Sequence, residues 1–325
     1  MKKLLVLLTS VAASTSIFGQ QPSTEPLTTG VDAVTPKLIA NPPIGKVAFV
    51  CQSMLGKNPF LYVLNHKGTL ARISKGSSPD FSSDGKKLIY SNVDGGITTR
   101  DLMTNASAPL ITGVFAGRLS PNSKRLLSAS FNHLTQNSLL EIVDIKTGTK
   151  TTLLSEEGGG LLSSPAWSPN GNEILFTSGR GMLVPFSEGF QIWSMNADGK
   201  SSVNMSNNGE GCNNAVWSPD GSRVAWDSQT IKLGKGRNGI KVFDRGPESI
   251  VIAKSDGSEQ NKLPNKGSRD TYPAWSPDGQ WIAFVSENYS AKTAGIWISK
   301  VDGSDRRQIT ENMGEVIAVG LRWSK

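Results

Sequence analysis

The stretch Trp275-Ser-Pro-Asp-Gly279 decides the fold of this 325-residue chain, because the chain repeats it. Proline sets the φ angle at the second position of a type I turn, aspartate suits the third position, and glycine accepts the positive φ that follows. Such a turn joins two antiparallel strands, so the motif predicts a β-hairpin whose aspartate is first of all a turn residue. Copies of the hairpin begin at Phe81, Leu119, Trp167, Trp217, Trp275 and Trp323.

The copies are 38 to 58 residues apart, a spacing typical of β-propeller blades and other repeat arrays. After the hairpin the strand is apolar on both faces, as in Ile282-Ala-Phe284, which is expected where neighbouring blades cover both faces. A third strand, a tight turn that is often Asp-Gly, and a fourth strand follow, and four strands make one blade. The aromatic residues of the second strands are expected to pack between blades and not to form a ligand cage; they are Tyr90, Phe176, Trp226 and Phe284.

Two segments far apart in the chain are expected to complete one further blade. Val47-Ala-Phe49 repeats the pattern of a second strand without a preceding hairpin, and Leu321-Arg-Trp-Ser324 repeats a first strand. A blade shared between them closes the ring and leaves no exposed strand edge. The sequence therefore predicts an all-β, six-bladed β-propeller with four-stranded blades. Seven blades are the alternative, if the segment around Val31 to Ala40 adds strands.

Residues 1–19 are predicted to be a signal peptide. Lys2 and Lys3 precede an apolar run, and small residues follow it, which is the plan of a secretory leader. Cleavage after Ser16 and cleavage after Gly19 both fit the pattern. The mature protein is therefore expected to be periplasmic or secreted.

The rest of the chain divides into a lead-in rich in Pro, Thr and Ser, residues 20–45, and a propeller domain, residues 46–325. The first cysteine of the chain is Cys51, so no lipid anchor is expected directly after the leader. No later segment is apolar enough to span a bilayer. The mature protein is expected to be a monomer that does not span the membrane.

Charge and cysteine content narrow the possible functions. The formal net charge is +7, but the basic residues are scattered and no run of five occurs, which argues against nucleic-acid binding. In an oxidising compartment Cys51 and Cys212 could form a disulfide. The repeat assigns them to blades that are not neighbours, which favours two free thiols over a bridge.

The sequence contains little that indicates catalysis. His66 and His133 have no Cys, His or carboxylate at ligand spacing, so no metal site and no cofactor is expected. No G-x-S-x-G motif occurs. Residues 234–239 spell G-x-G-x-x-G, but the residues that follow show no helix pattern, which a dinucleotide fingerprint requires. The protein is therefore predicted not to be an enzyme.

The repeated Trp-Ser-Pro-Asp-Gly hairpin and the later Asp-Gly turns resemble the TolB-type (WD40-like) β-propeller repeat family. The resemblance covers residues 46–325. This region is similar to the C-terminal propeller of TolB proteins, without the α/β domain that precedes it there. It implies an exported, periplasmic binding or scaffold protein of the cell envelope. The implied partner is an envelope protein or a peptide that docks at the channel mouth.

The loops between consecutive blades lead into the innermost strands and are expected to line this channel mouth. The alternative to a binding module is a glycan- or peptide-cleaving propeller enzyme whose site assembles from scattered carboxylates at the same mouth. The predicted binding residues are Arg118, Glu210, Asn213, Asn214, Arg269, Asp270 and Tyr272.

An insertion in the fifth blade, residues 228–247, is expected to form a basic loop on the same face of the propeller. Its positive charge would mainly speed the encounter with an acidic partner. The basic residues of this loop are Lys232, Lys235, Arg237, Lys241 and Arg245.

Overall fold

In the computed structural model of the protein, the described residues form 24 strands arranged as six four-stranded antiparallel sheets. The first strands of the sheets contact one another in a closed ring, so the protein is a six-bladed β-propeller, as predicted. The predicted signal peptide and His133 lie outside the described residues. The structure describes residues 37–53, 59–132, 134–157, 160–179, 189–235, 241–265, 267–288, 293–310 and 316–324.

Blades 2 to 4 are meanders in which four consecutive strands run from the central channel to the outside. Blade 2 comprises β4 (Ser77–Phe81), β5 (Lys87–Ser91), β6 (Gly96–Asp101) and β7 (Ser107–Thr112). Blade 3 comprises β8 (Arg118–Leu119), β9 (Arg125–Asn132), β10 (Asn137–Asp144) and β11 (Lys150–Glu156). Blade 4 comprises β12 (Leu162–Trp167), β13 (Glu173–Ser178), β14 (Gln191–Asn196) and β15 (Val203–Asn204).

Blades 5 and 6 follow the same plan, and blade 1 combines the two ends of the propeller. Blade 5 comprises β16 (Gly211–Trp217), β17 (Arg223–Lys235), β18 (Lys241–Lys254) and β19 (Asn261–Lys262). Blade 6 comprises β20 (Arg269–Trp275), β21 (Trp281–Asn288), β22 (Thr293–Lys300) and β23 (Arg307–Gln308). Blade 1 comprises β24 (Val316–Ser324), β1 (Lys46–Ser53), β2 (Phe60–Asn65) and β3 (Leu70–Lys75).

Strand β24 closes the ring by pairing antiparallel with β1, as the sequence predicts. Lys46 pairs with Ser324 and Cys51 pairs with Ala318, so β24 extends further back than the Leu321–Ser324 segment that the repeat indicates. The indole Nε1 of Trp323 also donates a hydrogen bond of 2.7 Å to the carbonyl oxygen of Ile44.

The described part of the lead-in, residues 37–45, lies against blades 1 and 6. Leu38 forms an isolated bridge with Thr310, and the side chains of Leu38 and Ala40 pack on the core between these two blades. This segment adds no sheet of its own among the described residues. The prediction of six blades is therefore confirmed over the alternative of seven.

Each interface between neighbouring blades contains its own apolar cluster, six in all among the described residues. Successive residues of a strand serve opposite interfaces: Val47 and Phe49 pack toward blade 6, whereas Ala48 and Val50 pack toward blade 2. This explains why the strands are apolar on both faces. The predicted packing of the second-strand aromatics between blades is confirmed for Tyr90, Phe176, Trp226 and Phe284.

The repeated hairpin has the turn geometry that its sequence predicts. In blade 6 the hydroxyl of Ser276 donates to Asp278 Oδ1 at 2.5 Å and accepts the backbone N–H of Trp281 at 2.9 Å. Gly279 has φ of 66° and donates its N–H to the carbonyl of Ser276. The aspartate thus organises the turn.

The basic insertion of blade 5 is a hairpin arm and not a loop. Strands β17 and β18 continue past the blade, with Lys232 paired with Asp244 and Lys235 paired with Lys241. Residues 236–240 lie outside the described residues. The G-x-G-x-x-G motif thus begins inside a strand and is followed by another strand, which confirms that it is not a dinucleotide fingerprint.

The two cysteines are free thiols, as the repeat favours. Cys51 is buried between blades 6 and 1, and Cys212 between blades 4 and 5. Burial raises the pKa of both thiols, which makes thiolate formation at neutral pH unfavourable.

Candidate functional site

The innermost strands place two sets of equivalent residues around the channel. Positions are counted from the first residue of each hairpin motif, which is Trp in four blades, Phe81 in blade 2 and Leu119 in blade 3. Three positions before it, five of the six blades carry a residue with positive φ; we call these residues the rim ring. One position before the first residue of the motif, all six blades contribute a residue to a cavity; we call these residues the basal ring. The rim ring is Ser78, Ser164, Asn214, Tyr272 and Gly320, and the basal ring is Asp80, Arg118, Ala166, Val216, Ala274 and Arg322.

Tyr272 is the bulky member of the rim ring and the strained one. Its φ is 56°, a left-handed conformation that glycine and asparagine tolerate and that bulky residues rarely adopt. Its ring packs against the apolar cluster between blades 6 and 1 and against the cluster between blades 1 and 2. The side chain of a blade 6 residue therefore reaches over to blades 1 and 2.

A chain of hydrogen bonds holds this strained backbone across three blades. Ser164 Oγ donates to Asn214 Oδ1 at 3.0 Å, and Asn214 Nδ2 donates to Asp227 Oδ2 at 2.8 Å. The same carboxylate oxygen accepts the backbone N–H of Tyr272 at 3.0 Å. Blades 4, 5 and 6 are thus joined through one carboxyl group at the channel.

Asp227 is fully buried, and its second carboxyl oxygen has no hydrogen-bond partner among the described residues. Burial and the neighbouring charge of Glu248 raise the pKa of Asp227 well above its usual value. The carboxyl group is therefore protonated under conditions in which an exposed aspartate is ionised.

The raised pKa makes the stability of the protein depend on pH. Asp227 keeps its proton in the folded protein, whereas the unfolded chain releases it above about pH 4, so stability falls as the pH rises above that value. Asp227→Asn keeps the acceptor for the N–H of Tyr272 and removes the ionisation. We expect this variant to melt at least about 3 °C above the wild type at about pH 8, with a smaller difference at about pH 5.

Thermal unfolding followed by circular dichroism measures both melting temperatures. Asp278→Asn, a turn position where two blades naturally carry asparagine, is the matched control and should show no such widening with pH. A constant difference between Asp227→Asn and the wild type across this pH range would contradict the assignment.

Arg269 lies beside this chain and is paired with two carboxylates. Its Nε donates to Glu248, and its Nη1 is 3.6 Å from Glu287. The Arg269 side chain is 27% exposed, so it is in contact with solvent while its charge is neutralised by partners inside the protein.

Asp270 is engaged in a separate ion pair inside blade 6. It is 1% exposed and accepts two hydrogen bonds from Arg306, at 2.7 and 3.1 Å. The Arg306 guanidinium stacks over the rings of Phe284 and Trp297. The pair holds the last turn of the blade against its inner strand.

Glu210 forms a third polar cluster, at the entrance to blade 5. It accepts hydrogen bonds from Ser228, from Thr230 at 2.9 Å and from Lys262 at 2.5 Å. Burial raises the pKa of Glu210, but these hydrogen bonds outweigh it and the net pKa is lowered. The group is therefore an ionised, fully partnered carboxylate.

The structure brings together only part of the predicted site. Asn214 and Tyr272 meet through Asp227, Arg269 lies next to them, and Asn213 pairs with Asp227 in the register of β16 and β17. Arg118 belongs to the basal ring, two positions further along an inner strand than the rim ring. Whether these residues bind a partner stays a prediction.

Asp227 and Glu248 are the site residues that sequence reasoning missed. Asp227 lies in β17 and Glu248 in β18, and Asp227 follows the apolar run Val224-Ala-Trp226 directly. A charged residue at the end of a strand covered on both faces was the signal, because a buried carboxyl must be partnered or neutral.

Four of the five predicted basic residues belong to the two strands of the hairpin arm. Lys232 and Lys235 belong to β17, and Lys241 and Arg245 belong to β18, whereas Arg237 lies outside the described residues. Their predicted role in the encounter with a partner stays a prediction.

Two further findings concern the described part of the chain. It contains no helix long and apolar enough to cross a membrane. It also contains no group of three or more His, Cys, Asp or Glu residues arranged to hold a metal ion.

The fold and its inner rings define a β-propeller, and comparison with known proteins gives the family. The TolB beta propeller domain matches residues 45–244, and the chain belongs to this family. A Tol-Pal system protein TolB from Anaeromyxobacter dehalogenans is 33% identical over 134 residues, which is 41% of this chain and 25% of that protein. An uncharacterized peptidase, YuxL, from Bacillus subtilis is 24% identical over 147 residues, or 38% of this chain and 21% of that protein.

Solved structures show the same fold at low identity. TolB from Acinetobacter baumannii superimposes with a TM-score of 0.66 and 20% identity, over 86% of this chain and 66% of that one. The chain matches only about a quarter of the length of its curated TolB relative from A. dehalogenans.

Proposed function

We propose that this protein is an exported, periplasmic binding module that docks a partner protein or a peptide segment of the cell envelope at the rim ring. Membership of the TolB beta propeller domain family supports the proposal. So does the likeness to a protein named for the Tol-Pal system. The predicted signal peptide, residues 1–19, supports an exported location.

The strained Tyr272 is the observation that carries this proposal. A bulky residue in the left-handed region costs on the order of 1 to 3 kcal/mol and persists only where the surroundings over-determine it. Here the hydrogen-bond chain through Asp227 supplies that constraint. The result is an aromatic side chain held in a fixed place at the channel, and preorganised aromatic anchors dominate many binding interfaces.

The acidic groups of this region favour binding over catalysis. Asp227 is fully buried and cannot touch a substrate, Asp270 is 1% exposed, and Glu210 is held by three hydrogen-bond donors. A catalytic acid or base must come within hydrogen-bond distance of the substrate. These carboxyl groups instead hold the backbone of Tyr272 and the side chains of Arg306 and Lys262.

A peptide-cleaving enzyme is the second candidate, and the likeness to the peptidase YuxL favours it. The two candidates differ in what they do to a bound peptide. A binding module returns the peptide unchanged, whereas an enzyme cleaves it.

The proposal is tested by recovering partners from the native cell envelope with the wild type and with Tyr272→Asn. Asn214 already occupies the equivalent position of blade 5 with φ of 55°, so asparagine suits this backbone while removing the aromatic ring. We expect the variant to lose the recovered partners by about tenfold or more, as for the removal of a central anchor. Arg307→Gln, in the exposed ion pair with Asp305 on the outer strand, is the control and should recover the wild-type set.

Equal recovery by the wild type and Tyr272→Asn would show that the rim ring is not the docking site. Incubation of the same protein with peptide and polysaccharide panels tests the second candidate. Turnover that Glu210→Gln abolishes without loss of folding would replace the binding function by catalysis, because the Glu210 side chain is 17% exposed.

A further inference from the structure

The basal ring encloses a cavity at the end of the channel where the Trp-Ser-Pro turns lie. Its volume is about 250 Å³, larger than the cavity of about 150 Å³ that holds a benzene molecule in an engineered protein core. All six blades contribute the same position to its wall, and residues of the hairpin turns complete it. In the order of the blades from blade 1 the basal-ring residues are Arg322, Asp80, Arg118, Ala166, Val216 and Ala274.

One half of this wall carries an excess of positive charge. The charged residues that line the cavity are Arg118, Arg322 and Asp80, two cations for one anion. Asp80 is already engaged: its Oδ2 accepts the backbone N–H of Leu119 at 2.9 Å, and its Oδ1 is 3.9 Å from the Nε of Arg322. One carboxylate therefore does not satisfy both guanidinium groups.

The two guanidinium groups show the consequences of this imbalance. The Nε of Arg118 is buried and has no hydrogen-bond partner among the described residues, although its Nη1 donates to the carbonyl of Pro79 at 3.0 Å. Burial and then the charge of Arg118 lower the pKa of Arg322. A buried donor without an acceptor costs on the order of 1 to 3 kcal/mol, so the two arginines form an incompletely neutralised cationic pair at the wall.

At the basal-ring position the other half of the wall is apolar, and Ser168 and Ser218 of the turns lie beside it. Blades 4, 5 and 6 contribute Ala166, Val216 and Ala274. Hydrogen bonds between blades hold the indoles behind them: Trp167 Nε1 donates to the carbonyl of Arg118 at 3.2 Å, and Trp275 Nε1 donates to that of Val216 at 3.3 Å. The cavity is therefore a preformed space with a cationic side and an apolar side.

We propose that the basal ring is a second binding site, for a carboxylate that carries a small apolar body. The carboxylate would lie against Arg118 and Arg322, which offer the N–H groups that planar carboxylates accept well. The apolar body would lie against Ala166, Val216 and Ala274. The site is distinct from the rim ring and needs no partner there.

Two sources of this chemistry fit the cavity: a free small acid and the C-terminal carboxylate of a peptide with an apolar last residue. Inorganic phosphate shares the charge and lacks the apolar body, so it is expected to bind more weakly. A cation is disfavoured, because the ring already holds more positive than negative charge.

Isothermal titration calorimetry of the full chain with benzoate tests the site, and benzamide serves as the uncharged probe of the same shape. We expect saturable binding of benzoate and at least about tenfold weaker binding of benzamide, the loss typical of a hydrogen bond to a charged group. The dipeptide Gly-Phe and its C-terminal amide are then compared. Binding of the free-acid dipeptide alone indicates a peptide end, and failure of both dipeptides restricts the site to small acids.

Two variants address the two walls separately. Arg322→Gln removes one cation, and Val216→Phe fills the cavity while both arginines remain. Each should weaken benzoate binding by about tenfold or more, whereas Arg307→Gln on the outer strand should leave it unchanged. Circular dichroism shows which variants fold, and one folded variant suffices. The proposal is overturned by the absence of benzoate binding, by equal binding of benzoate and benzamide, or by unchanged binding in a folded variant.

Discussion

Removal of residues 321–325 is expected to lower the melting temperature of the protein by more than about 10 °C. The deletion takes away the end of β24, which pairs with β1, and with it Leu321, a fully buried residue of the cluster between blades 6 and 1. Loss of one buried leucine side chain alone costs about 2 to 5 kcal/mol, and each kcal/mol corresponds to about 2 to 4 °C in a domain of this size. The deletion also exposes the unpaired edge of β1.

Thermal unfolding followed by circular dichroism gives the comparison. Leu321→Ala keeps the strand and removes only the side chain, so its melting temperature should lie between those of the wild type and the deletion. Leu134→Ala, at a side chain that is 96% exposed, is the control and should melt like the wild type. A deletion that melts with the wild type would mean that β24 does not close the ring.

Arg306→Met is expected to destabilise the protein by about 3 to 5 kcal/mol, or roughly 10 °C. The substitution leaves Asp270 buried without its cation, and an uncompensated buried charge is far costlier than the ion pair is favourable.

The double variant Asp270→Asn, Arg306→Met separates this effect from the loss of packing over Phe284 and Trp297. It removes both charges and should recover part of the lost stability. Arg307→Met is the control, because its ion pair with Asp305 is exposed and such pairs contribute about 0 to 1 kcal/mol. Equal melting of the single and the double variant would mean that the charge of Asp270 is not the cause.

The fold could be predicted from the sequence because its signals are local and repeated. The turn residues from Ser276 to Gly279 fix a hairpin through hydrogen bonds within six positions of the chain. The repetition of this turn sequence along the chain then gives the number of blades. Closure by β24 followed from the same repeat, since Trp323-Ser324 marks a first strand that needs a partner.

The candidate site could be predicted only in part, because its contacts join residues far apart in the chain. Asp227 of blade 5 contacts Tyr272 of the neighbouring blade 6, and Asp270 contacts Arg306, which lies 36 positions later in the chain. Neither contact follows from spacing. The hairpin arm of blade 5 does not follow from the sequence either, because Gly234, Gly236 and Gly239 interrupt the strand pattern of Ile231-Lys-Leu233.

Site-specific cross-linking in the native cell tests most directly whether the rim ring docks an envelope partner. A photoreactive phenylalanine derivative is placed at Tyr272 in one strain and at the exposed Arg307 in another. We expect a discrete set of cross-linked partners from position 272 that position 307 does not give. The same adducts from both positions, or none from position 272, would contradict it.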